Sequence, residues 1–243
     1  MNEEALPEEQ SIGAAFKQGT IAGVPICLGY MPIAIAYGVL ASQSGLTIFE
    51  TTMMSVLVFA GAAQFMAANM FAQGALFLQI VVATFVLNFR HFIMSMSLMN
   101  QFKHYSLPWK FGLSLGLTDE TFAVSALHKK QAKKENSMFF YLALILIAYL
   151  SWVFGSLAGA LLGEVTPSQL SDSMGIALYA MFIGLLVPSV KKEWRLGLIA
   201  ILAMILNYFF SRKVGLDTGW AIVLATIFGS LAAIPLMKEE AIE

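Results

Sequence analysis

The chain has 243 residues, of which 58% are hydrophobic and only 12% are charged, and its formal net charge is −1. A soluble domain of this length could not cover itself with polar surface at that composition, so the sequence predicts a polytopic membrane protein surrounded by a lipid bilayer. The nearly neutral charge argues against a nucleic-acid partner. One cysteine, Cys27, excludes a disulfide framework or a cysteine-based zinc site.

Eight apolar windows are long enough to cross a bilayer, whose hydrocarbon core of about 30 Å needs about 20 residues of helix. We therefore predict an all-α fold with seven or eight transmembrane segments, because the seventh window is short. The windows are 19–41, 52–72, 75–99, 108–127, 138–162, 171–190, 194–210 and 217–236.

Lysine and arginine residues in the loops predict the orientation, because short cytoplasmic loops carry an excess of positive charge. The linker 128–136, between the fourth and fifth windows, contains four lysines and outweighs the basic residues that favour the opposite orientation. We therefore predict that both termini are cytoplasmic. The N-terminal tail is acidic and lacks the positive start of a signal peptide, so we expect it to stay uncleaved.

Three residues in the first window, Pro25, Gly29 and Pro32, predict an interrupted helix. A proline inside a helix removes one amide donor and clashes with the carbonyl four residues earlier. Carbonyls left without a donor inside a membrane are tolerated where they are buried in protein or line a cavity. We therefore expect the helix to break here and the region of Pro32 to contact a substrate, with a simple proline kink as the alternative.

Small residues in the second and fifth windows predict close helix packing. The stretch 59–65 surrounds one polar side chain, Gln64, with small residues that let another backbone approach. Gln64 is a candidate substrate contact or a hydrogen-bond partner between helices. In the fifth window, Gly155, Gly159 and Gly163 recur at four-residue spacing and predict a close-packing face.

The third window contains Asn88, Arg90 and His91 in an otherwise apolar run. An unpaired guanidinium at the centre of a bilayer costs at least about 2.5–3.5 kcal/mol, so Arg90 needs an acidic partner. Arg90 and Asn88 are candidate substrate-binding residues on the wall of a cavity. His91 points about 100° away from Arg90 on a helix, and we interpret it as a packed histidine, with a titrating histidine as the alternative.

The fourth window supplies the acids that can pair with Arg90, because Asp119 and Glu120 are the ionisable pair inside another predicted span. Gly116 can end one half-helix and Thr118 can cap the next, which places both acids in a positive first turn. We predict a broken helix here, with a continuous helix as the alternative. Each acid is a candidate charge partner of Arg90 or proton carrier during transport.

An internal duplication predicts how the segments are arranged, because residues 27–36 can be aligned with residues 114–123. A unit of three spans repeated in tandem must enter the membrane from opposite sides. The first three and the next three segments would therefore form an inverted repeat, with the broken first and fourth segments at its axis. One or two extra spans would follow. The predicted divisions are a cytoplasmic tail 1–18, a transmembrane transporter domain 19–236 (repeats 19–100 and 108–190, extra spans 194–236) and a C-terminal tail 237–243.

The sequence contains no HExxH metal-binding motif and no Walker phosphate-binding loop. No cluster of His, Cys, Asp and Glu has metal-ligand spacing. We therefore predict no enzymatic activity, no cofactor and no metal. The remaining polar groups suit a zwitterionic amino acid, whose carboxylate needs a guanidinium or helix-end amides and whose ammonium needs a carboxylate or free carbonyls.

Three stretches resemble, in order and spacing, the signature motifs of the AzlC family: FAGAAQF at 59–65, LNFRH at 87–91 and LTDETFA at 117–123. The similarity extends from about residue 19 to about residue 188. The resemblance implies the large subunit of a branched-chain amino acid exporter in the bacterial cytoplasmic membrane, working with a small AzlD-like membrane protein. It also implies valine, leucine, isoleucine or methionine as substrates and export driven by the proton gradient.

Two other functions are compatible with the same residues. A structural or assembly subunit would use Arg90 and its acidic partner only to lock the third and fourth segments together. A channel for a small neutral solute would pass that solute downhill without proton coupling.

Overall fold

The computed structural model describes residues 10–99, 101–164, 183–184, 186–187, 190–191 and 193–237. Within these ranges the regular secondary structure is helical, as the composition predicts. The helices are α1 (Ile12–Gln43), α2 (Ile48–Val58), α3 (Gly61–Ala72), α4 (Phe77–Leu98), α5 (Leu107–Leu115), α6 (Asp119–Leu127), a 3-10 helix (Lys129–Lys133), α7 (Ser137–Gly163), α8 (Arg195–Tyr208), which continues as a π-helix (Phe209–Val214), and α9 (Thr218–Met237).

Four helices in the described part of the chain are long and apolar enough to cross a membrane: α1, α4, α7 and the combined helix Arg195–Val214. The apolar helix α2 and the stretch Gly219–Ala232 of α9 are shorter. The second and fourth predicted windows are each divided between two short helices, α2 with α3 and α5 with α6. The sixth predicted window, 171–190, lies largely outside the described residues, so seven or eight crossings and the inverted repeat stay predictions.

The predicted break in the first segment is wrong, because α1 runs as one helix through Pro25, Gly29 and Pro32. The two prolines remove the backbone hydrogen bonds to the carbonyls of Ile21 and Leu28. The helix nevertheless continues because it packs along α7, and this long contact offsets the two lost bonds.

Glycines allow the backbones of α1 and α7 to touch. A Cβ added to Gly19 would overlap the backbone of Phe140, and a Cβ added to Gly159 would overlap the carbonyl group of Ile35. The glycine face predicted for the fifth segment therefore packs directly on α1. The buried core lies along this helix pair and includes Tyr37, Phe140, Tyr141, Leu144 and Trp152.

Two interruptions place helix ends within the fold. Between α2 and α3, Phe59 adopts a left-handed conformation with φ of 38°, and Ala60 precedes the first turn of α3. Between α5 and α6, Gly116 caps one helix and Thr118 caps the next, and the sequence predicts a break at the same residues. Thr118 and Thr121 exchange hydrogen bonds in a capping box, with Thr118 N 2.8 Å from Thr121 Oγ1 and Thr121 N 3.3 Å from Thr118 Oγ1.

Replacing Gly38 with alanine should destabilise the protein, because the added Cβ would overlap the carbonyl oxygen of Ser156 on α7. Overpacking of this kind costs about 1–3 kcal/mol. Thermal denaturation in detergent should show the loss as a lower melting temperature. Gly13→Ala, also on α1, is the matched control, because its added Cβ meets nothing within 4 Å. Equal melting temperatures for the two variants would contradict the close packing of α1 on α7.

Candidate functional site

A cavity of about 310 Å³ lies where α1, α4 and α7 meet the two helix interruptions. Its wall includes Pro25, Gly29 and Tyr30 of α1 and Trp152 of α7. The junction between α2 and α3 contributes residues 59–62. Ligand pockets occupy roughly 300–1,000 Å³, so this volume suits a small molecule.

Arg90 of α4 and Asp119 of α6 form an ion pair on the cavity wall, through Nη1 of the arginine and Oδ2 of the aspartate. Their side chains are 34% and 32% exposed, so the pair borders open space and is not sealed in the core. Asp119 is the first residue of α6, where the helix dipole also favours a negative charge. The pairing offsets the cost of placing a guanidinium in an apolar segment.

The guanidinium of Arg90 is only partly satisfied by this ion pair. Its Nε atom is buried and has no hydrogen-bond partner among the described residues. Leaving a buried donor unpaired costs about 1–3 kcal/mol. A guanidinium presents five N–H donors in a fixed fork, so Arg90 keeps donor capacity for a second anionic group.

The second acid, Glu120, contacts α1 instead of Arg90. The hydroxyl of Tyr30 donates a hydrogen bond to Oε2 of Glu120, and the hydroxyl oxygen lies 2.7 Å from Oγ1 of Thr118. Tyr30 is buried. Two adjacent acids in one helix turn therefore have different partners, a cation for Asp119 and a neutral phenol for Glu120.

The start of α3 lies on the wall of the cavity. Its N-cap residue, Ala60, makes no side-chain cap hydrogen bond, and Gly61 and Ala62 in the first turn line the cavity. The first amides of a helix have no partner inside the helix and carry the positive end of its dipole. This helix start therefore suits an anionic group such as a carboxylate.

Three residues predicted to bind substrate, Gln64, Asn88 and Pro32, are not on the wall of this cavity, and their contact with a substrate stays a prediction. Gln64 is 1% exposed and makes hydrogen bonds with Ser55 and Trp152, which fits its alternative interpretation as a partner between helices. Asn88 precedes Arg90 by two residues and so points about 200° away from it on α4. The face of α1 that lines the cavity contains residues 25, 26, 29, 30 and 33. Pro32 is not part of that face.

The cavity residues that were not selected from the sequence include His91, Tyr30 and Trp152. His91, interpreted as a packed histidine, lines the cavity beside Arg90. Tyr30 and Trp152 occur in apolar windows where aromatic residues are ordinary, and only the helical spacing of Tyr30 from Ile26 could have indicated it. Within the described ranges, no group of three or more His, Cys, Asp and Glu side chains is placed to hold a metal ion.

Known proteins resemble this chain over the region that forms the cavity. The family model described as AzlC protein matches residues 25–166, which contain the whole cavity wall. A protein of Archaeoglobus fulgidus named "Uncharacterized membrane protein" is 33% identical over 74% of this chain and 78% of its own length. Inner membrane protein YgaZ of Escherichia coli is 27% identical over 82% of this chain and 83% of its own.

A further relative carries a functional name. Branched-chain amino acid transport protein AzlC of Bacillus subtilis is 25% identical over 77% of this chain and 73% of its own length. No solved structure gives a significant match. The family match and these relatives together show that the chain is a membrane protein of the AzlC family.

Proposed function

We propose that this protein is a secondary active exporter of branched-chain amino acids (valine, leucine and isoleucine, with methionine as a further candidate) across the bacterial cytoplasmic membrane. The observation that carries the proposal is the Arg90–Asp119 ion pair on the wall of a small cavity between helix ends. Charges inside transmembrane segments face the protein interior or a water-filled cavity and mark substrate or ion pathways. The name of the Bacillus subtilis relative supports the substrate class.

The cavity complements both charged ends of an amino acid. The substrate carboxylate would bind the Arg90 guanidinium, whose side chain is 34% exposed, and the amides at the start of α3. The substrate ammonium would bind Glu120, which has no cationic partner among the described residues. Ile26, Ile33 and Trp152 provide an apolar wall for the substrate side chain.

The different partners of the two acids support a division of roles in proton coupling. Asp119 neutralises Arg90, so a proton on Asp119 would leave a guanidinium unpaired in an apolar segment. Glu120 bonds to the neutral phenol of Tyr30, so a proton on Glu120 leaves the ion pair intact. We assign proton uptake and release to Glu120 and charge pairing to Asp119. Proton uptake and release would accompany the alternation between inward-facing and outward-facing states.

Three further parts of the proposal rest on the family resemblance and on the loop charges. The resemblance supports export as the direction and a small AzlD-like membrane protein as the partner. The four lysines of the linker 128–136 support a cytoplasmic N-terminus. Radiolabelled valine counterflow in vesicles, with and without an AzlD-like partner, measures whether the partner is needed.

Replacing Asp119 with asparagine should abolish both valine counterflow and efflux driven by a pH gradient, because Arg90 loses its charge partner. A guanidinium left without a charge partner inside a transmembrane segment costs at least about 2.5 kcal/mol, so both rates should fall at least about 30-fold. Replacing Glu120 with glutamine should abolish gradient-driven efflux, whereas valine counterflow should persist with a raised KM, because an amide oxygen binds the substrate ammonium more weakly than a carboxylate does. The amide oxygen of glutamine can still accept the hydrogen bond from Tyr30, but the side chain cannot take up and release a proton. Proteoliposomes loaded with labelled valine measure both rates.

The matched control for these two variants is Asp217→Asn. Asp217 accepts a hydrogen bond from Gln79 and lies outside the cavity, so its replacement should leave both rates at the wild-type level. Unchanged efflux in both Asp119→Asn and Glu120→Gln would remove the acids from the mechanism.

A structural subunit is the second candidate function, because the same ion pair joins α4 to α6 and could lock them together without transport. Exchanging the charges, with Arg90→Asp and Asp119→Arg in one protein, separates the two candidates. The exchange should restore the folding that each single substitution impairs, as measured by melting temperature and gel filtration. It should not restore valine counterflow, because the guanidinium then projects from α6. Recovery of folding and of full activity together would favour the structural role.

A further inference from the structure

A closed ring of hydrogen bonds adjoins the cavity and begins and ends on Trp152. The indole Nε1 of Trp152 donates to Oε1 of Gln64 at 2.8 Å, and Nε2 of Gln64 donates to Oγ of Ser55 at 2.8 Å. Ser55 donates to Oγ of Ser156 at 2.8 Å, and Ser156 donates to the carbonyl oxygen of Trp152 at 2.7 Å. The ring joins α2, α3 and α7.

Every member of this ring is buried, with exposed fractions of 3% for Trp152, 1% for Gln64 and 0% for both serines. A buried polar network with satisfied donors and acceptors is rigid and specifies one arrangement of its side chains. The indole cannot rotate away without leaving the Gln64 amide oxygen unpaired in an apolar environment, which is unfavourable. The ring therefore fixes the indole in place.

Trp152 is the ring member that also lines the cavity. Its indole meets Tyr30 edge to face, with the ring centroids 5.4 Å apart. A Cβ added to Gly61 would lie 2.6 Å from Cη2 of the indole, so the indole also touches the start of α3. The indole thus contacts both the tyrosine that bonds Glu120 and the start of α3, the groups proposed to lie near the ammonium and the carboxylate.

We propose that Trp152 sets the size of the apolar side chain that the cavity admits, and that Gln64 is the positioning residue that holds Trp152 there. This inference rests on the proposed function, because it concerns an amino acid bound in the cavity. One methylene in an apolar pocket changes discrimination about 10–200-fold, so a fixed indole favours valine over a larger side chain such as that of phenylalanine. Gln64 acts on the substrate through Trp152 and not by contact.

Two substitutions test the wall and its support separately. Trp152→Phe reduces the volume of the wall, and Gln64→Met keeps the approximate volume of the side chain but removes both of its hydrogen bonds. Isothermal titration calorimetry on the full-length protein in detergent gives dissociation constants for L-valine and L-phenylalanine. In both variants, the ratio of the two constants should shift toward phenylalanine by about 10-fold or more.

The matched controls are Trp109→Phe and Gln101→Met. Trp109 packs against Phe139, Gln101 bonds Tyr141, and neither residue lines the cavity, so the ratio should stay at the wild-type value. Gln64→Glu keeps an acceptor for the indole N–H and should return the ratio toward wild type, which a general loss of stability would not do.

The outcomes distinguish failure of this inference from failure of the proposed function. Valine binding to the wild-type protein with an unchanged ratio in Trp152→Phe and Gln64→Met would overturn the inference alone. If Gln64→Met fails to fold, the ratio in Trp152→Phe decides. No valine binding to the wild-type protein would contradict the proposed function, and the inference would fall with it.

Discussion

An arginine in the middle of an apolar helix is the constraint on which the rest of the site depends. Arg90 has no favourable position in hydrocarbon, so α4 must face an element that supplies a negative charge. That element is the first turn of α6, where Asp119 pairs with the guanidinium and the helix dipole favours the acid. A first turn can lie beside Arg90 only because the chain leaves the helix at Gly116 and re-enters it after Thr118.

Continuous and interrupted helices contribute differently to the cavity. The continuous helices α1 and α7 pack along each other through glycines and bring Tyr30 and Trp152 to the cavity wall. The interrupted pairs supply helix starts on the cavity wall, the first turn of α3 at Gly61 and the first turn of α6 at Asp119. Close packing favours a rigid arrangement of α1 and α7. Helix ends near a cavity can instead bind charged groups, so that no unpaired charge is buried.

The approximate limits of α4 and α7 and the acidic pair that supplies the partner of Arg90 could be predicted, because they follow from the length of apolar windows and the cost of an unpaired charge. The interruption at Phe59 and Ala60 was not predicted. The break expected in α1 was wrong for a physical reason. The strain at Pro25 and Pro32 is local, whereas the packing on α7 that offsets it joins distant parts of the chain. The bond between Gln64 and Trp152 likewise spans 88 residues, and no local pattern encodes it.

The most direct measurement is labelling of a cysteine at Ile33, a residue of the cavity wall, in a background in which Cys27 is replaced by serine. If the Arg90–Asp119 pair borders a water-filled substrate site, a small charged thiol reagent should modify Ile33→Cys in membranes, and L-valine should slow the reaction. A cysteine at the exposed Lys103 should react equally with and without valine. No modification of Ile33→Cys, or modification that saturating valine does not slow, would contradict a substrate site around this ion pair.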